Sequence, residues 1–179
     1  TAKPGEAKAV DLLVVGVGPA GLACALRAKE LGINFSIIEQ GEQAGGTVAA
    51  YPRKKLVMTQ PVHLPLHGRL PRLEYVKEEL VDLWSGLIAK HELPLSTGVR
   101  LTDVVREADG GFTAQTSAGP ISARNVCLCL GRRGTPRKLN VPGEELPKVA
   151  YNLLDAESYT GRRILVVGAE NRATGQSRD

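Results

Sequence analysis

Apolar and polar positions alternate between two periods along this chain. Leu12 to Val15 is a continuous apolar run that breaks at Gly16-Val17-Gly18-Pro19-Ala20-Gly21. The chain then passes through an alanine- and leucine-rich segment and returns, after Gly32, to a second apolar run closed by Glu39. This order predicts a buried strand, a glycine turn, a helix and a parallel strand. Further on, Leu73, Val76, Leu80, Leu83, Trp84, Leu87 and Ile88 recur at spacings of three and four. That is one face of a helix, predicted over Arg72 to His91, with Pro71 at its start and Pro94 forbidding continuation.

Beyond Pro94 the pattern shortens to strands. Val99 to Val105 and Phe112 to Thr116, joined at Asp109-Gly110-Gly111, predict a hairpin, and a second turn at Ala118-Gly119 leads into Ile121 to Leu130. Asn125 to Leu130 has no polar alternation, as a strand covered on both faces requires, so it is expected to join the sheet beside the first strand. Between Ala49 and Arg69, Pro52, Pro61 and Pro65 rule out a continuous helix and predict an extended excursion.

The first unit carries the clearest chemistry. Gly16 lets the strand turn, Gly18 lets backbone approach a pyrophosphate, and Gly21 lets the helix pack closely on the sheet. The phosphates would meet the free amides and positive dipole end of the helix. Glu39, 18 residues after Gly21, stands where a carboxylate accepts hydrogen bonds from ribose hydroxyls. The glycine-paired loop Gly41 to Thr47 follows a parallel strand and should pass close to the same ligand. His63 and His67 are four apart, but Pro65 breaks the helix that would align them, and no metal site is expected.

Composition narrows the setting. With 42% hydrophobic and 23% charged residues in 179, the chain suits a soluble globular fold, and no apolar run reaches a membrane span. Thr1 to Ala9 has no following apolar region of a signal peptide and is expected to be a flexible leader. Cys127 and Cys129 would share one face of a strand, where a disulfide is strained, and Cys24 lies on the first helix. Buried thiols and a cytoplasmic setting follow. The net charge of +4 is local: residues 1 to 50 hold four basic and five acidic side chains, while Arg53-Lys54-Lys55, Arg132-Arg133 and Arg137-Lys138 gather the surplus. Such clusters serve an acidic partner, phosphates or a solvated face. With 4% aromatics and no recognition motif, a nucleic-acid partner is not expected.

Taken together, the GxGPAGxxxA turn, the acid closing the second strand, Gly45-Gly46, the hairpin and the strand ending NVCLCLGRRGTPRKLNVPGE resemble flavoproteins with two dinucleotide-binding domains. Within them the chain is similar to the thioredoxin-reductase-like branch, that is, ferredoxin-NADP reductases of that type and bacillithiol-disulfide-reductase-like oxidoreductases. The resemblance runs from Leu12 to Gly168. It implies an α/β fold: a Rossmann-like FAD-binding domain with a parallel sheet and a β-hairpin excursion, plus the start of a second nucleotide-binding domain. Residues 1–10 would be a leader, 11–131 the FAD domain, 132–162 a linker and 163–179 a truncated NAD(P) unit. By motif, Gly16, Gly18, Pro19, Ala20 and Gly21 would hold the FAD pyrophosphate, and Glu39 with Gln40 the adenosine ribose. Gly45, Gly46 and Thr47 would line the flavin side, with Tyr51 and Met58 near the ring, backbone around Leu101 at the adenine, and Gly131 closing the family's "ATG" strand.

Arg163 to Gly168 would begin the second unit, but Glu170 stands where the family has a glycine, and Thr174 to Asp179 supplies no apolar helix. The second cradle and the segment that returns to the flavin are therefore expected to be missing. Two functions compete. One is an FAD-dependent oxidoreductase passing electrons from NAD(P)H to an acidic acceptor such as a ferredoxin or to a small molecule, without a dithiol relay because no CxxC is present. The other is a non-catalytic FAD-binding or interaction subunit completed by another chain or by homo-oligomerisation.

Overall fold

A computed structural model describes residues 9–131, 138–151, 153 and 155–167. In chain order its elements are β1 (Val10–Val15), α1 (Pro19–Glu30), β2 (Phe35–Ile38), α2 (Gly46–Ala49), β3 (Leu56–Met58), β4 (Val62–Leu64), β5 (Gly68–Leu70) and β6 (Glu74–Val76). They continue with α3 (Lys77–Lys90), β7 (Leu95–Ser96), β8 (Leu101–Arg106), β9 (Phe112–Thr116) and β10 (Ile121–Leu128).

One six-stranded sheet, ordered β7-β2-β1-β10-β9-β8, carries the fold. β1 lies between β2 and β10, parallel to both, which places its apolar run under cover on two faces. Val14 joins α1 and α3 in one core with Leu22, Leu26, Ile37 and Trp84. Leu13 and Val15 point the other way, into a smaller core with Ile38, Ala114 and Ala123. All three residues are at most 4% exposed, which is why four apolar residues occur here without a polar break.

The hairpin forms as the sequence predicts, with β8 and β9 antiparallel from Leu101↔Thr116 to Arg106↔Phe112. β10 then serves two partners. Its first residues pair antiparallel with β9 and the remainder runs parallel to β1. The expectation that Asn125 to Leu130 is covered on both faces needs correction: Leu128 is 56% and Leu130 59% exposed. The second core extends along β10 only as far as Val126, so one face of the strand's end is bare.

Two further expectations change. The predicted helix from Arg72 begins only at Lys77, because Glu74–Val76 is taken as a strand against β3. Glu79, at the third helical position, accepts the Val76 amide at 2.8 Å and closes the start from the helix side. The proline-rich excursion is extended, as expected, but folds back on itself through β3–β6 and β4–β5. Ile164 to Val167, expected as the first strand of a second unit, belongs to no strand among the described residues and is exposed throughout. Gly168 and Glu170 lie outside the described residues.

Residues 138–151 turn around one buried carboxylate. Glu144 accepts the amides of Leu139 (2.8 Å) and Asn140 (2.6 Å) and the Tyr151 hydroxyl (2.6 Å). The Tyr151 bond and these amides hold the Glu144 carboxyl below its ordinary range, and the same pairing pushes Tyr151 up to about 12. A carboxyl lowered by folding stabilises above its unfolded value, and this contribution disappears as pH falls through the folded one. Glu144→Gln, lacking charge-assisted bonds, is expected to raise amide exchange at Leu139 and Asn140 several-fold at neutral pH. Hydrogen exchange read by mass spectrometry checks this, with acid loosening the same loop in the parent chain.

Candidate functional site

The glycines at the end of β1 each meet a different constraint. Gly16 has φ of +93°, a region that side chains rarely adopt, and a Cβ there would sit 2.6 Å from the Cys129 carbonyl oxygen. A Cβ on Gly21 would lie 1.8 Å from the Gly16 carbonyl oxygen and 3.4 Å from Cys129 Cβ. The turn, the helix and β10 therefore meet at a point where nothing larger than hydrogen fits. Gly18 is the opposite case: a Cβ there would have no atom within 4 Å. Its φ of −72° is ordinary, so local strain does not demand glycine; the open space in front of it does.

That space faces the N-terminus of the twelve-residue α1. Gly18 is the cap without a side-chain partner, Pro19 follows, and the first turn contains no acid. Ala20 and Gly21 present amides that the helix's own ladder does not use, and the dipole adds partial positive charge. Free amides, partial positive charge and open space in front of Gly18 are what a phosphate group requires of a helix start.

The second wall is the Gly45-Gly46 pair. The Gly45 amide donates to the Val17 carbonyl at 3.0 Å, and Gly46 would place a Cβ 3.4 Å from Gly18 Cα. Both have positive φ, +115° and +50°. The predicted glycine loop thus lies directly against the phosphate turn, and α2 starts from it. Thr47, half-buried, stands in the first turn of α2.

Glu39 is placed less simply than the sequence suggests. It is buried, its Oε2 accepts the Val17 amide and its Oε1 the Gly41 amide, both at 2.9 Å. The carboxylate therefore ties the end of β2 to the glycine turn. Each oxygen keeps a second lone pair, so this arrangement is compatible with a ribose ligand. Gln40 beside it is exposed. The β7–β8 connection runs alongside, with Gly98 donating to the Gly41 carbonyl and Val99 to the Glu39 carbonyl; Leu101, two residues on, packs against the core that contains Ile38.

On the other side, an apolar cavity of about 290 Å³ opens beside Pro19. Val48, Val57, Thr59, Leu64 and Trp84 line it. Tyr51 packs against the main core, its ring 5.7 Å from Lys55 Nζ, and is not among the lining residues. Met58 ends β3. Gly131 follows β10 with φ of +69°. Trp84 is a core residue, as its helical stripe predicts, but it also forms this wall and lies 3.4 Å from the Cβ position of Gly45. Nothing in the helical period separates those two duties. The cavity residues of β3, β4 and β5 escaped the sequence reading because prolines interrupt their alternation. Arg53, Lys54 and Lys55 are exposed. Among the described residues no group of His, Cys, Asp or Glu could hold a metal ion, and no helix is long and apolar enough to cross a membrane.

The family model for pyridine nucleotide-disulphide oxidoreductases matches residues 13–176. The chain belongs to that family. A ferredoxin–NADP reductase of Ignicoccus hospitalis is 27% identical over 165 residues, 91% of this chain and 50% of that protein. One from Limosilactobacillus fermentum is 29% identical over 168 residues, covering 91% of this chain and 48% of that protein. The chain thus spans about half the length of the curated relatives it matches. In three dimensions it is similar to the bacillithiol disulfide reductase of Staphylococcus aureus, with a TM-score of 0.68 at 22% identity over 86% of this chain and 48% of that one. This likeness extends the family match to the fold.

Proposed function

We propose that the chain binds FAD and forms the flavin-holding part of an NAD(P)H-dependent oxidoreductase that delivers electrons to an acceptor of the ferredoxin class. The observation that carries this reading is the open space at Gly18, walled by Gly46 and facing the start of α1. Gly16, Gly18, Pro19, Ala20 and Gly21 would hold the pyrophosphate, and Glu39, Gln40 and the backbone around Leu101 the adenosine half. Gly45, Gly46 and Thr47 would lead to the flavin, with Tyr51, Met58 and Gly131 around it and the cavity at Trp84 beside it. When bound, the flavin supplies the redox chemistry; this chain orients it and excludes water. The ferredoxin–NADP reductases among its relatives support the acceptor class, and exposed Arg53, Lys54 and Lys55 have the sign to attract an acidic protein. The division into an FAD domain over 11–131, a linker and a second nucleotide unit belongs to the same proposal.

Titration tests the binding. Trp84 is the chain's single tryptophan and lies beside the glycine pair, so FAD is expected to quench its fluorescence saturably and to stay with the protein through desalting. A colourless chain with unchanged Trp84 emission overturns the proposal. The exposed run Ile164 to Val167 favours a second reading, a flavin-binding subunit that needs another chain to react with nicotinamide. Anaerobic NADPH and NADH separate the two: bleaching of the bound flavin supports the oxidoreductase, and a flavin that stays yellow supports the subunit.

A further inference from the structure

Three thiols meet beneath the glycine turn. α1 runs down the sheet while β10 runs up it, and Gly21 lies against Cys129. Three residues along α1 descend about 4.5 Å, and two residues back along β10 descend about 6.6 Å. Cys24 therefore stands over Cys127, and the two thiols are neighbours. On the other side Cys127 Sγ lies 3.7 Å from Cys129 Sγ. Cys127 is the middle sulfur of the three. All three residues are partly exposed, which is the access that a small oxidant needs.

The three sulfurs are not equivalent. Burial, and then proximity to Cys127, pushes Cys24 up to about 11 and Cys129 up to about 12. Cys127 has a sulfur on either side, so it is the one of the three that can accept a hydrogen bond from both neighbours when it attacks, and this position makes it the nucleophile of the group. Joining Cys127 to Cys129 would bridge two residues of one strand on one face, a strained geometry. Joining it to Cys24 bridges strand to helix where Gly21 has already brought them close.

We propose that Cys127 and Cys24 form a peroxide-responsive thiol pair linking β10 to α1. In the first step the Cys127 thiolate attacks one peroxide oxygen, the O–O bond breaks, hydroxide leaves and takes up a proton, and Cys127 becomes a sulfenic acid. In the second step the Cys24 sulfur attacks the sulfenic sulfur, the S–O bond breaks, the thiol proton leaves with the departing hydroxide as water, and a disulfide remains. Two thiols have lost two electrons and one peroxide has become two waters.

The test is titration of the full chain with hydrogen peroxide, read by intact mass and non-reducing peptide mapping, with parallel samples containing dimedone. The expected result is a monomer lighter by two hydrogens, with the Cys24 peptide linked to the Cys127 peptide and the change reversed by dithiothreitol. C129S is expected to keep the link. C24S is expected to accumulate a dimedone adduct at Cys127, and C127S to show neither product. Circular dichroism confirms that each variant is folded. Absence of mass loss in the parent chain, a link between Cys127 and Cys129, or a C24S chain that gives no adduct would each overturn the proposal.

Discussion

Gly21→Ala is expected to lower the melting temperature by about 4–8 °C, the largest stability loss of any single methyl group added at the turn. The new Cβ would lie 1.8 Å from the Gly16 carbonyl oxygen, far inside contact distance. That neighbour is backbone, so relief requires α1 to move off β1 and β10. Overpacking of this kind costs about 3 kcal/mol, and alanine's better helix propensity returns at most about 1 kcal/mol. The net loss of about 2 kcal/mol corresponds to the stated shift for a chain of this size. Thermal unfolding followed by circular dichroism measures it. An unchanged midpoint would mean that the helix does not need this close approach.

Gly18→Glu has the opposite signature: folding is retained and the ligand is lost. No atom stands within 4 Å of the new Cβ and the backbone there is ordinary, so the melting temperature of the ligand-free chain is expected to match the parent's. In the complex, a carboxylate held about 4 Å from a phosphate costs about 4 kcal/mol at an effective dielectric of about 20, close to a thousandfold in Kd. Equilibrium titration with FAD, read by Trp84 emission, gives the ratio. FAD bound with parental affinity would remove the phosphate site from this turn. The pair of variants separates two uses of glycine in one motif, one serving the apo fold and one serving the ligand.

Much of this arrangement was legible in the sequence because its signals are local. β1, α1 and β2 follow from the periods between Asp11 and Glu39, and the hairpin from its glycine turns. The pairing of β10 with β1 was legible from NVCLCL alone, since an uninterrupted apolar run suits a strand inside a parallel sheet. What stayed hidden depends on distant partners. The start of α3 moved to Lys77 because β3, some twenty residues earlier, recruits Glu74–Val76. The bare face at Leu128 and Leu130 depends on how far the second core extends, which no residue in the run itself encodes. Glu39 was recognised as the acid of the motif, yet its hold on the Val17 amide is a choice of rotamer that spacing cannot predict. The contact of Gly46 with Gly18 likewise arises only when the loop folds back over the turn.

The pairing of β1 with β10 also sets an order of events during synthesis. Asp11 receives the Asn125 side chain across 114 positions of sequence, and Gly16 leans on the carbonyl of Cys129. Everything from β1 through β10 must leave the ribosome before β1 finds its second parallel neighbour. Contacts of such long sequence separation are slow to form. Until then the apolar β1 has only β2 beside it and one open edge, a vulnerable template for pairing with another nascent chain. The glycine-turn motif is thus among the last parts of this sheet to acquire its final shape.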